Sequence, residues 1–270
     1  MHSHSHRLFG AWKPLALAGL LLAGASTALA QQPPAAEKIA DAKPGEVRLL
    51  ISNGLRAPFE AVRAQAQQAV GHPLVVEYGA SRRLQSEIEA GQPFEAAILT
   101  GEVVDEMIAR HKVVAGSRAD LAHVPVAAAE RGDAPRPDIS TPAALKAALL
   151  GAATVRFADI GASRPTVDNT FAKLGITDAL QDRTGPLPGP STPQPTLAAG
   201  QYELILNLAS EFHPVAGQTY LGPLPEQFQV PVVMAAGVGA SGDAAAARTL
   251  IAFLQGPAIE PALTASRMTR

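Results

Sequence analysis

Apolar residues gather in short runs along the chain, and these runs alternate with stretches of helical spacing. Val47, Leu49, Leu50 and Ile51 make a first run of strand length. Phe59, Val62, Ala66, Ala69 and Val70 then recur on one face of a helix, with Pro58 suited to its first turn. Gly71-His72-Pro73 breaks that helix, and residues 74–78 form a second strand. Leu84 and Ile88 mark a second helix, stopped by Gly91-Gln92-Pro93. Residues 96–99 read as a third strand, and Val103, Val104, Met107 and Ile108 as a third helix. Strands and helices alternating through short loops predict a parallel sheet covered by helices. The continuous apolar runs agree, because strands buried on both faces need no polar alternation.

The alternation continues less regularly. Residues 124–129 are predicted as a strand, and Ser140-Thr141-Pro142 opens a helix with a cap and a proline in the right order. Leu145, Leu149 and Leu150 form its apolar stripe. A strand over 154–158 precedes a helix marked by Val167, Phe171 and Leu174 and closed by Gly175. Residues 184–196 are rich in proline and glycine and read as a loop. Strands are predicted over 203–208 and 230–236, and a last helix over 243–255.

The N-terminus adds a compartment. Arg7 and Lys13 precede an apolar run at 15–25, about half the roughly 20 residues that a membrane span needs. Ala28-Leu29-Ala30 follows as a small-x-small site. This order predicts a signal peptide over 1–30, cleaved near Ala30, with a flexible lead-in over 31–45. His2, His4 and His6 leave with that segment and are given no metal role. The chain has no cysteine, so core packing alone must hold it. Removing Arg7 and Lys13, with no acid in the same segment, takes the formal charge from -2 to -4. That balance argues against a nucleic-acid surface.

Several stretches together carry a resemblance. They are Ile51-Ser52-Asn53-Gly54-Leu55, Glu77-Tyr78-Gly79-Ala80-Ser81-Arg82-Arg83-Leu84, residues 88–100, residues 112–118 and residues 137–142. They resemble the periplasmic molybdate-binding-protein family of ABC importers, nearer its divergent branch than its well-defined binders. The resemblance runs from about residue 46 to the end. It implies an α/β, two-lobed type II periplasmic-binding-protein fold, each lobe a mostly parallel sheet flanked by helices, joined by a two-strand hinge. Lobe one would be 46–124 plus 230–270, lobe two 125–229, with crossings near Val124 and Val230. The expected partners are a small anionic solute and an ABC permease in the inner membrane. The protein is expected to be periplasmic and monomeric.

An anion leaving water needs donors in place of its hydration. Backbone N–H groups at helix N-termini supply them, aided by the helix dipole. Two strand-to-helix turns offer this device, Ser52-Asn53-Gly54 and Gly79-Ala80-Ser81. The family keeps a ligand serine at the place of Ser81 and another at the place of Gly54, which has no hydroxyl. In lobe two, Ser163 or Thr166 is the expected donor. The family's backbone donor falls near Pro190, which has no N–H, and its tyrosine hydroxyl near Leu208, beside Asn207, Ser210 and Glu211. Arg82 and Arg83 sit where a cation opposes the helix dipole. Either they form a solvated pair, or Arg82, joined by Arg56 and Arg164, holds a carboxylate in a fork. The ligand-binding candidates are therefore Ser52, Asn53, Gly54, Ser81, Arg82, Ser163 and Thr166.

The default ligand implied by the resemblance is molybdate or tungstate. The alternatives are an organic carboxylate, or a non-transport sensor or scaffold. No catalytic residue, metal or cofactor is expected. The mature histidines His72, His111, His123 and His213 are scattered, and Asp105 and Glu106 read as a solvated helix face.

Overall fold

A computed structural model describes residues 42–132, 136–187, 197–198, 200–214 and 216–270. The predicted signal peptide and the backbone-donor place near Pro190 lie outside the described residues, as does most of the lead-in.

The first third follows the predicted alternation. β1 (Val47–Ser52), α1 (Asn53–Val70), β2 (Leu74–Gly79), α2 (Ser81–Glu89), β3 (Ala96–Thr100) and α3 (Gly101–Ala109) succeed one another through very short turns. α1 begins at the end of β1 rather than at Pro58, which lies inside the helix. The first turn of α1 passes so close to the sheet that a Cβ on Gly54 would come within 2.5 Å of the Met234 side chain. Gly71 ends α1 in the left-handed conformation, φ +78, with its N–H bonded to the Gln67 carbonyl.

The strand expected over 124–129 begins two residues later, and a strand not read from the sequence precedes it. β4 (Ala119–Val124) and β5 (Val126–Gly132) meet at Pro125. Proline lacks the N–H that a ladder requires, so the chain leaves one sheet there and enters another. Then come α4 (Pro142–Gly151), β6 (Thr154–Arg156), α5 (Arg164–Leu174), α6 (Thr177–Leu180), β7 (Thr184–Gly185) and β8 (Tyr202–Leu208). β9 (Gln218–Pro223), β10 (Val232–Val238), α7 (Ala244–Gln255) and α8 (Glu260–Ala265) complete the chain. β7 falls in the stretch read from sequence as a loop.

The strands form two sheets of five, in the orders β2-β1-β3-β10-β4 and β7-β6-β8-β5-β9. The two layouts match. In each, three strands run parallel, and the strand entering from the other sheet pairs antiparallel on both sides. Each sheet is thus mostly parallel, as expected, with four strands running one way and the strand entering from the neighbouring sheet running the other.

The return crossing is stitched by three side chains. Gln229 accepts from the Val126 N–H (2.9 Å) and donates to the Val126 and Leu224 carbonyls (2.8 and 3.0 Å). Thr166 on α5 accepts from the Val230 N–H (2.9 Å), and Asn169 donates to the Phe228 carbonyl (2.7 Å). No helix among the described residues is long and apolar enough to cross a membrane.

Candidate functional site: a cleft facing four helix ends

A cleft of about 980 Å³ lies where both sheets contribute residues. Four strand-to-helix turns border it. From the first sheet come Ser52-Asn53 opening α1, Ala80-Ser81 opening α2 and Thr100-Gly101 opening α3; from the second comes Ser163-Arg164 opening α5. None of these four ends has a side-chain cap. Two other helices are capped. Thr141 accepts from the Ala144 N–H (3.2 Å) at α4, and Asp243 accepts from the N–H groups of Ala245 and Ala246 (2.9 and 3.1 Å) at α7. A helix leaves its first N–H groups without intrahelical partners, and a cap normally takes them. At the cleft, among the described residues, a side chain takes such a group only before α3, where Ser81 accepts from Thr100.

Ser81 is buried at the first position of α2, and its hydroxyl accepts from the Thr100 N–H at 3.0 Å. An accepting hydroxyl still has its own proton to give. Ser52, Asn53 and Ser163 also line the cleft. Gly54 does not; it is spent on close packing against Met234 and Leu208. Thr166 does not either, being fully buried with its hydroxyl on the return crossing. Its place on α5, one turn from the cleft, was legible, but its partner was not.

The arginines are matched rather than clustered. Arg82 lines the cleft, but its guanidinium donates to Glu106 (2.7 and 2.8 Å), Glu102 (2.8 Å) and Gln85 (2.9 Å). The Arg82 and Gln85 bonds hold the Glu106 carboxyl below its usual range. Arg164 pairs with Asp168 (2.8 Å) and lies 5.3 Å over the Phe157 ring. Arg83 turns from the cleft to Glu77, Glu87 and the Tyr78 carbonyl, and Arg56 lies 4.8 Å over the Tyr78 ring. The alternative cluster, in which Arg82 is joined by Arg56 and Arg164, does not assemble. A third cleft arginine, Arg118, pairs with Asp105 and Asp120. Asp105 and Glu106, read as a solvated face, are therefore the partners of cleft arginines. The lining holds Arg82, Arg118 and Arg164 against Glu102, Asp105, Asp159, Asp168 and Glu211. With each arginine matched, the uncommitted positive character rests in the main chain.

The second sheet supplies an apolar share. Ala158, Ile160, Ala162, Pro165, Leu187 and Leu208 line the cleft, and Ile160, 77% exposed, is the sole exposed large hydrophobic side chain among the described residues. Asn207 and Glu211 also reach the cleft, whereas Ser210 is buried away from it. The α3 end went unread in the sequence, although Leu99-Thr100-Gly101 repeats the strand-to-small-residue pattern that marks the other two. No metal-holding group of histidines and acids occurs among the described residues.

Two α/β halves, two crossings and a ligand-sized cleft between them define a two-lobed periplasmic binding protein. The chain belongs to the family of bacterial extracellular solute-binding proteins, which matches residues 47–266. It is similar to the periplasmic molybdate-binding protein of Azotobacter vinelandii, with a TM-score of 0.66 at 16% identity, covering 83% of this chain and 99% of that one. The sulfate-binding protein of Mycobacterium tuberculosis has a TM-score of 0.60 at 14% identity, covering 83% and 86%. Among curated proteins, an aconitate isomerase from a Pseudomonas species is 26% identical over 246 residues, 89% of each chain. The structural likenesses establish the fold. The family is one of exported proteins.

Proposed function

We propose that this protein is a periplasmic receptor that takes a small organic carboxylate into its cleft and delivers it to an ABC-type permease. The four uncapped helix ends at the cleft carry this reading. They offer unclaimed N–H groups and the positive ends of dipoles, the donors an anion needs on leaving water. The second wall decides between anions. A bare molybdate or tungstate, the ligand implied by the family resemblance, carries charge on every side. Against Ile160, Leu187 and Leu208 it would lose hydration without replacement. A carboxylate on a carbon skeleton presents charge to one wall and apolar surface to the other. In this reading residues 46–124 plus 230–270 and residues 125–229 are the lobes, and they close on the ligand. Ser52, Asn53, Ser81 and Ser163 line the anion's seat, and the receptor works as a monomer.

A thermal-shift screen of residues 31–270 tests it, using molybdate, tungstate, sulfate, citrate, malate and trans-aconitate. A ligand at about 100 times its Kd adds about 2.7 kcal/mol, a rise of roughly 5–11 °C at this size. Shifts confined to carboxylates are expected. Shifts confined to molybdate and tungstate would replace this reading with that of an oxyanion importer.

The 26% identity with an aconitate isomerase over 89% of both chains favours a second reading, in which the cleft also isomerises an unsaturated carboxylate. Incubation with cis-aconitate, followed by chromatography for the trans isomer, separates the two. Binding without conversion leaves a receptor; conversion at catalytic protein concentrations makes it an enzyme.

A further inference from the structure

Among the described residues, Glu211 is the half-buried carboxyl of the cleft that no cation meets. It ends a 3-10 turn, Ala209–Glu211, directly after β8. Asn207 fixes one of its oxygens, donating to Oε2 at 2.9 Å. The Asn207 amide is itself oriented, because its oxygen accepts from the Leu208 N–H at 2.9 Å. Among the described residues no hydrogen bond reaches Oε1. The other lining acids differ: Glu102 is held by Arg82, Asp105 by Arg118, Asp168 by Arg164, and Asp159 is exposed to water.

The surroundings supply no hidden counter-charge. The turn packs against α1 and β5. On α1, Arg56 lies over the Tyr78 ring, while Arg63 bonds Glu60 and the Leu74 carbonyl. On β5, Glu130 and Arg131 pair with the start of β8, at the far end from the turn. Arg267 reaches the turn but donates to the Ala209 and Phe212 carbonyls and lies 4.2 Å over the Tyr220 ring. His213, two residues on, is exposed.

A negative carboxylate here would repel the anion the helix ends attract. A proton between the two turns that repulsion into an O–H···O⁻ bond, among the stronger hydrogen bonds. Burial, which favours the neutral acid, works in the same direction. We propose that Glu211 is a ligand-binding residue that meets the anion across a shared proton, so that the cleft selects an acid that brings a proton or takes one up on binding. Fully ionised sulfate or molybdate then binds only at the cost of protonating Glu211. The inference rests on the organic-anion reading and names how that site chooses among anions.

Titration calorimetry of residues 31–270 with trans-aconitate, at about pH 6 and about pH 8, tests it on the wild type and on Glu211→Gln. Wild-type affinity is expected to fall with rising pH by up to about tenfold per unit, the limit for one linked proton. Glu211→Gln, which donates an N–H without titrating, is expected to bind at about pH 8 at least as tightly as the wild type and to lose the pH dependence. Equal affinities with the same pH profile in both variants overturn the inference and leave the carboxylate receptor standing. If neither variant binds trans-aconitate, citrate or malate, the organic-anion reading falls and this inference with it. Glu211→Ala, lacking both acid and amide, is expected to bind more weakly than Glu211→Gln at either pH; equal binding by the two variants also overturns it.

Discussion

The two sheets share one layout, yet they furnish the cleft differently. Matching positions are β1 and β6, each running into a helix whose uncapped end meets the cleft, at Ser52 and at Ser163. The next pair diverges. β3 leads into α3 and offers a helix dipole at Thr100-Gly101, whereas β8 leads into a three-residue turn and offers the Glu211 carboxyl. The first half thus gives three helix ends and the second gives one, with an acid and an apolar surface beside it. In the proposed reading the same scaffold makes one wall a cradle for negative charge and the other a filter on what carries that charge.

The largest expected effect comes from capping a cleft helix deliberately. Ala80 is the exposed residue before α2 and has no side chain to cap it. Ala80→Asp places a carboxylate on the N–H groups the anion needs. Affinity for a carboxylate ligand is expected to drop at least about a hundredfold, because one charge repels and occupies the site at once. The ligand-free protein gains about 1 kcal/mol, raising its melting temperature by roughly 2–4 °C. Lower stability with intact binding would show that the α2 end is not a seat for the anion.

A cap away from the cleft reverses the signs. Asp243→Ala removes a bond pattern that α7 uses, so a loss of about 1 kcal/mol and roughly 2–4 °C is expected with ligand affinity unchanged. Ser52→Ala, at a helix end with no side-chain cap bond, is expected to leave the melting temperature nearly unchanged and to weaken binding. Thermal melts of both variants with and without citrate check the contrast.

Glu211 also makes stability depend on pH. Burial raises its folded pKa above the unfolded carboxylate value of about 4.3. Between those two values the folded state holds a proton that the unfolded state has released, so stability falls as pH rises and stays lowered above the folded pKa. Glu211→Gln is therefore expected to melt higher than the wild type near neutral pH, with the advantage vanishing below about pH 4. An advantage that persists in acid would assign the gain to packing instead.

The smallest effect is expected at Arg82. Its ion pairs with Glu102 and Glu106 lie near the surface, and such pairs contribute about 0.2–1 kcal/mol. Because its donors are already filled, Arg82→Ala should change carboxylate affinity less than about threefold. A tenfold loss in calorimetry would mean the guanidinium leaves Glu106 for the ligand.

Legibility in the sequence followed burial. β1, β2 and β3 are runs of buried apolar residues between glycine and proline breakers, and they read directly. β4, Ala-Asp-Leu-Ala-His-Val, and β9, Gln-Thr-Tyr-Leu-Gly-Pro, lie at sheet edges with much of their surface in water, so no apolar run announced them. In the site, Ser52 and Ser81 were legible because a strand running into a small-residue turn is a visible pattern. The pairing of Arg82 with Glu106 was not, since it joins α2 to α3 across 24 positions. Glu211 was visible only as a polar residue after a strand. What distinguishes it is that no cation among the described residues reaches it, and a missing partner leaves no mark in the local sequence.

The place of β10 also sets an order of assembly. It lies between β3 and β4, so the first sheet keeps two open edges until residues 232–238 exist. The second sheet draws its strands from one unbroken stretch, 126–223, and can close sooner. A chain made from its N-terminus therefore finishes its first half last. Until then β3 keeps one side open and β4 lacks its partner strand, the kind of edge that recruits neighbouring chains. Truncation just before β10 should thus yield an aggregating protein rather than a smaller receptor.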